Sequence, residues 1–266
     1  MPKNHPQHIG RKRDTLRRGP SIRSFIRPAI STSAVFTLLV ACGSSSDSEA
    51  SEKTMTITLV RHGESAGNSS GLLDTSVPGP GLTELGHKQA DAAAERLADE
   101  PFDGIYASDM YRTQLTAQPT AERHEKTVQI LPGVREIPAG DWEGTPDDVV
   151  IDTYLATPLE WIDGDISARI PGSISGEDFQ ALFNGALESI ENNGDTRPVI
   201  FAHAGSIMSW VLMNTEGGGD LMRDELLQNT GEVIVEGSPA EGWELVEWNS
   251  DPEGLPGASM TADPID

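Results

Sequence analysis

Thr56-Ile57-Thr58-Leu59-Val60-Arg61-His62-Gly63-Glu64-Ser65 begins with five residues of strong β-preference and then breaks into a charged, glycine-containing turn. Such a stretch reads as a buried strand delivering Arg61 and His62 at its carboxyl end. The same pattern recurs. Gly104-Ile105-Tyr106-Ala107 runs into Ser108 and then Arg112-Thr113, and Val199-Ile200-Phe201-Ala202 runs into His203-Ala204-Gly205. Residues 128–131 make a fourth strand candidate.

Helical patterns separate these strands. The clearest covers 177–192, where Phe179, Leu182, Phe183, Ala186, Leu187 and Ile190 repeat at helical spacing. Ser175 with Asp178 resembles a capping box at its start, and Gly194 suits its stop. A second helix is expected over 83–98 and a third after Ser206. Pro119 falls where the helix after Arg112 would continue, so a break or kink is expected near Gln118. Strand–helix alternation predicts an α/β domain with a mostly parallel sheet. The segments 232–236 and 243–248 read as a hairpin that adds an antiparallel edge.

In an open parallel sheet, ligands bind beyond the carboxyl ends of the strands. Arg61 and His62, Arg112, and His203 come from three distant segments, yet this topology brings them to one edge. Two guanidiniums and two imidazoles suit an oxyanion, because the guanidinium fork matches phosphate geometry. A cation about 4 Å from a phosphate charge contributes about 4 kcal/mol at an effective dielectric near 20. The same arginines disfavour protonation of His62 and keep a ring lone pair available for attack.

Arg-His-Gly-Glu-Ser at 61–65, with Asn68 close behind, resembles the phosphohistidine motif of the histidine phosphatase (phosphoglycerate mutase-like) superfamily. Gly81-Leu82-Thr83-Glu84-Leu85-Gly86-His87-Lys88-Gln89-Ala90 is similar to that family's Leu-Thr-x-x-Gly-x-x-Gln-Ala helix start, and Ser108-x-x-x-Arg112-Thr113 to its second phosphate-binding segment. Arg135-Glu136, followed by Gly140-Asp141-Trp142-Glu143-Gly144, looks like the acid-bearing segment, and His203 matches the late histidine. The likeness runs over 55–249 in the right order. It implies a three-layer α/β/α fold. It implies that His62 carries the phosphoryl group, that Arg61, Arg112, His203 and Asn68 hold its oxygens, and that Glu136 serves as acid and then base. No metal or cofactor is implied, and the partner is a small phosphate monoester. Only 24 positions separate Arg112 from Glu136, where the mutase branch carries long insertions, so a phosphatase is favoured.

Charge is uneven along the 266 residues. Residues 1–41 hold eight of the 19 Lys and Arg and one of the 42 acids, leaving 11 basic against 41 acidic residues and a net of −30 beyond them. So acidic a body repels polyanions, which excludes nucleic acid as a partner. The basic stretch precedes an apolar run, 34–41, too short to span a bilayer. Leu39-Val40-Ala41-Cys42 resembles a bacterial lipobox, the other reading being an ordinary signal peptide with an incidental thiol. Cys42 is the one cysteine, so no internal disulfide can form and lipid anchoring is its best use. The expected organisation is a lipoprotein signal peptide (1–41), a flexible tether (42–54), the phosphatase domain (55–249) and a disordered tail (250–266), held extracytoplasmically at the cell membrane.

The segment 145–174 is expected to form a lid, its acids Asp147, Asp148, Asp152, Glu160, Asp163 and Asp165 disfavouring polyphosphates. Trp142 and Trp161 read as packing residues, and His87 and His124 as surface residues. Two other functions compete: a phosphoglycerate-type mutase using the same phosphohistidine, and a non-catalytic surface lipoprotein that binds anions or a partner. Retention of a nucleophile, both arginines and an acid argues against the last.

Overall fold

The computed structural model describes residues 54–216 and 221–252. Cys42 and the rest of the leader, nearly all of the tether, and the tail beyond position 252 lie outside them. One six-stranded sheet organises the domain: β1 (Met55–Arg61), β2 (Gly104–Ala107), β3 (Gln129–Ile130), β4 (Pro198–Ala202), β5 (Glu232–Ser238) and β6 (Gly242–Asn249). Its order is β3-β2-β4-β1-β5-β6. The first four neighbours pair in parallel, and β5 and β6 close one side antiparallel. The helices are α1 (Ala66–Ser69), α2 (Glu84–Arg96), α3 (Tyr111–Arg123), α4 (Ala156–Ile162), α5 (Gly176–Asn193), α6 (Ala204–Asn214) and α7 (Leu221–Asp224).

Side-chain alternation assigns the layers. Met55, Ile57 and Leu59 of β1, with Tyr106, Ile200 and Ala202, face a core shared with Phe183 and Leu187 of α5 and Ile207 and Trp210 of α6. Val60, Ile105, Ala107, Val199 and Phe201 face the other way, onto Ala117 and Ala121 of α3 and Leu97 after α2. Strands buried on both faces read as continuous apolar runs, which is why the central strands stand out in the sequence. The result is a three-layer α/β/α fold, mostly parallel with an antiparallel edge.

Local chemistry sets the ends of α5. Ser175 and Asp178 form the reciprocal capping box, and Gly194 stops the helix at a φ of 88°. The apolar stripe of α5 is narrower than its spacing predicts: Leu182 is 53% exposed while the other five residues are buried. Strand β3 keeps only two of four expected residues, and α6 starts at Ala204, directly after His203.

Two expectations are corrected. Helix α3 runs unbroken through Pro119. Proline forgoes one backbone bond, but Arg112, Thr113, Thr116, Ala117, Thr120 and Ala121 pin the helix to the sheet on either side of it, and tertiary packing outweighs the local cost. His124 is half-buried rather than on the surface; its ring lies 5.4 Å from Phe102 and its Nε2 is 3.1 Å from the Leu97 carbonyl.

The segment 145–174 is packed into the domain. Val150, Tyr154, Leu155, Leu159, Trp161 and Ile170 are all buried in the larger core. Trp161 stacks on Phe179 at 5.7 Å and donates from Nε1 to the Ala168 carbonyl at 2.8 Å.

Candidate active site

Register builds the site. Arg61 pairs with Ala202 and Ala107 with Phe201, so His62, His203 and Ser108 each stand one residue past the sheet, side by side. The His62 N–H donates to the Ala202 carbonyl at 3.0 Å and the Ser108 N–H to the Phe201 carbonyl at 3.1 Å, which holds the three exits together. The two histidine rings meet edge to face, 5.1 Å between centroids.

The motif glycines permit a close backbone approach. A Cβ on Gly63 would lie 2.6 Å from the Gly86 carbonyl oxygen, and one on Gly86 would lie 2.0 Å from that of Glu64. No side chain fits there, so the turn after β1 and the start of α2 lie directly against each other. Around this contact the Glu64 N–H donates to Gln89 Oε1 at 2.7 Å, and the Thr83 hydroxyl caps α2 while donating to Glu64 Oε1 at 2.6 Å. The second motif thus braces the first.

The floor of the cleft is buried and cationic. Arg61, His62 and Arg112 are 1%, 4% and 3% exposed. His62 Nδ1 lies 2.7 Å from its neighbour Gly63's carbonyl, so Nδ1 carries the ring proton and Nε2 holds the lone pair. Arg112 Nε donates to that Nε2 at 3.0 Å, and its Nη2 donates to the Asp74 carbonyl at 3.2 Å. Arg61 Nη1 donates to the Leu227 carbonyl at 2.6 Å. Burial first, then Arg112 and Arg61, push His62 well below its ordinary 6.5, so the ring is neutral. Burial lowers Arg61 to about 10, still cationic at neutral pH.

Glu136 is held by the N-terminus of α6. Its Oε1 accepts from the N–H groups of Ser206 at 2.8 Å and Ile137 at 2.9 Å, and its Oε2 from Gly205 at 3.1 Å. Burial raises this carboxyl above its ordinary range despite those donors and the Arg112 charge. Tyr154 donates to the Ile137 carbonyl at 2.8 Å and packs against the same corner. A carboxyl raised in this way holds its proton more readily than a free one, which suits a group that gives a proton and takes it back.

Arg61, His62, Asn68, Arg112 and Glu136 line one cleft together with Ser65, Gly67, Leu72, Leu73, Asp74, Asp147 and Ala204. His203 does not line it. Fully buried, it reaches the cleft through the His62 ring, with Nε2 2.8 Å from the Ser108 hydroxyl. Asn68 Oδ1 accepts from the Ser65 N–H and hydroxyl, both at 3.1 Å, so an anion in the cleft would meet the donor end of that amide. Among the described residues no three His, Cys, Asp or Glu gather as metal ligands, and no helix is long and apolar enough to cross a membrane.

Asn229 escaped the sequence reading. It is buried, and its Nδ2 donates to the His62 carbonyl at 3.0 Å and lies 3.4 Å from Asn68 Oδ1, so it ties the two predicted site residues together. Thr230 beside it holds a φ of 60°, unusual for a β-branched residue, and donates its N–H to the Arg61 carbonyl at 3.1 Å. In the sequence, Asn229-Thr230-Gly231 looks like any turn before a hairpin. Gly205 and Asp147 carried no separate signal either.

Buried guanidiniums surround a neutral imidazole at the carboxyl edge of a three-layer α/β/α sheet and face a raised carboxyl, an arrangement whose donors suit an oxyanion. The chain belongs to the histidine phosphatase superfamily (branch 1), whose model matches residues 57–251. A PE-PGRS family protein of Mycobacterium tuberculosis is 37% identical over 219 residues, which cover 76% of this chain but only 38% of that protein. A probable phosphoglycerate mutase of Yersinia pestis is 30% identical over 158 residues, 58% of this chain and 73% of that one. The solved structure of a mycobacterial glucosyl-3-phosphoglycerate phosphatase shares the fold, with a TM-score of 0.60 at 23% identity over 75% of this chain and all of that one. Membership points to phosphatase or mutase activity.

Proposed function

We propose that the protein is a phosphomonoesterase working through a phosphohistidine on His62. The observation that carries this reading is the neutral, buried His62 ring, its Nε2 lone pair 3.0 Å from Arg112 Nε, in the same cleft as the raised Glu136 carboxyl. A phosphoryl group entering the cleft takes over the Arg112 contact and frees Nε2 for attack on phosphorus. The phosphorus–oxygen ester bond breaks as the nitrogen–phosphorus bond forms, and the leaving alkoxide takes the proton from Glu136. Water then attacks the phosphohistidine, Glu136 recovers a proton from it, and inorganic phosphate leaves His62 neutral again. Arg61, Arg112 and the Asn68 amide offset charge on the equatorial oxygens, where fixed donors act most strongly. His203 supports His62 by its edge contact, 5.1 Å between ring centroids.

The short connection from Arg112 to Glu136 supports hydrolysis over mutase chemistry. Product analysis tests this: inorganic phosphate released with a one-to-one alcohol product supports it, and an isomerised ester with no free phosphate overturns it. For the cellular setting, the Leu39–Cys42 pattern supports a lipid anchor on Cys42 and a domain carried outside the cytoplasm on a tether to residue 54. Mass spectrometry of the mature N-terminus tests it; an unmodified Cys42, or a chain still carrying residues 1–41, counts against it.

A further inference from the structure

The floor and rim of the cleft carry opposite charge. Among the described residues Arg61 and Arg112 are the only cations lining it, and both are buried in the floor. The half-buried rim holds Asp74 and Asp147 beside Leu72 and Leu73. The two rim acids differ. Asp74 Oδ1 accepts from the Ser76 N–H at 3.0 Å and hydroxyl at 2.5 Å, whereas the Asp147 carboxylate takes no hydrogen bond among the described residues.

Asp147 is also fixed in place. The segments 71–73 and 144–147 form a two-stranded clip: Leu73 N–H donates to the Thr145 carbonyl at 2.8 Å, Gly144 N–H to the Leu73 carbonyl at 2.9 Å, and Asp147 N–H to the Gly71 carbonyl at 3.0 Å. Behind the clip, Thr75 donates its N–H and hydroxyl to Glu143 at 2.9 and 2.5 Å. Of the six acids in 145–174 named above, Asp147 alone lines the cleft. It is close enough to Arg61 for each charge to stabilise the other.

We infer that Asp147 is a specificity-determining residue that rejects phosphomonoesters bearing a second anionic group on the ester body and admits those with a neutral or cationic body. This rests on the phosphomonoesterase reading. With the phosphoryl group held on the floor by Arg61 and Arg112, the ester body extends past the rim. A carboxylate there meets Asp147 with no further lining cation among the described residues to receive it, while a hydroxyl or ammonium can bond to it. Such a rule separates this chain from enzymes built around phosphoglycerates.

Glycerol 3-phosphate and 3-phosphoglycerate test it, because they differ mainly in a hydroxymethyl against a carboxylate group. Wild type is expected to show kcat/KM on the order of tenfold higher for glycerol 3-phosphate, and Asp147→Asn to narrow the ratio to within about threefold. A wild-type ratio near one, or one unchanged in Asp147→Asn, overturns the inference. The same pair is titrated calorimetrically into His62→Ala and into that variant combined with Asp147→Asn, so that the charge rule is read without turnover. Absence of hydrolysis then counts against the phosphomonoesterase reading, while the ratio of Kd values decides the role of Asp147.

Discussion

Replacing Gly205 by alanine isolates the proposed acid, Glu136, from the rest of the site. A Cβ there would lie 2.7 Å from Glu136 Oε1 and 3.1 Å from the Tyr154 hydroxyl, and ordinary contact begins at 3.4 Å, so the carboxyl must retreat by roughly 0.7 Å. That oxygen accepts from both Ser206 and Ile137, and a shift of this size strains or breaks one of these charge-assisted bonds, worth about 1.5–3 kcal/mol. Displacements near 1 Å can cost on the order of 100-fold in rate. Folding is affected less, because alanine near a helix start gains up to about 1 kcal/mol over glycine. The assay compares glycerol 3-phosphate, whose alkoxide needs a proton, with p-nitrophenyl phosphate, whose phenolate leaves without much help. We expect kcat for the alkyl ester to fall about 10- to 100-fold and the aryl ester to lose less than about fivefold. Equal losses for both esters, or an alkyl rate that does not change, would refute the reasoning.

Arg112→Lys removes the planar fork that reaches both His62 Nε2 and the Asp74 carbonyl; kcat/KM on p-nitrophenyl phosphate should drop on the order of 100-fold although charge is kept. Asn229→Ala leaves the His62 carbonyl without its side-chain donor; we expect kcat to fall about tenfold, and urea denaturation to show a loss of about 1–3 kcal/mol, with no loss in either arguing that the bond is incidental. Acid lability has a definite sign. His62 and His203 are both held well below 6.5 by burial and the arginines, so below that pH the unfolded chain binds more protons and stability falls as pH drops. Each imidazole contributes a slope of at most about 1.4 kcal/mol per pH unit. Glu136, raised above 4.5, acts in the opposite sense: its contribution is complete below 4.5 and is lost as pH rises through the folded value. Urea midpoints should therefore fall between pH 7 and 5.5, less steeply in His203→Asn, and a flat profile would contradict the burial of neutral imidazoles.

The parts of this molecule legible in its sequence are those whose signal is local. Central strands buried on both faces announce themselves as apolar runs, and the residues leaving their carboxyl ends converge because parallel register leaves them no alternative. Arg61, His62 and Arg112 were found in this way, and the capping box at Ser175 follows from its own spacing. What stayed hidden depends on contacts between distant segments. Asn229 matters because a turn near the hairpin folds beneath the end of β1. Gly205 matters because Glu136, 69 residues earlier, lands on the first turn of α6. Pro119 misled because the rule for proline is local while the packing that keeps α3 continuous is not. The acids of 145–174 could be counted in the sequence, but only the clip against 71–73 singles out Asp147.

Trapping the proposed covalent intermediate addresses the role assigned to His62 directly. Enzyme mixed with a phosphorus-labelled ester and quenched in alkali, where phosphohistidine survives, is digested and mapped by mass spectrometry. The label should sit on the peptide containing His62, be lost on brief acid treatment, and be missing from His62→Ala, which should turn over no ester. Label on another residue, or a His62→Ala enzyme that still releases phosphate at the wild-type rate, would contradict the account.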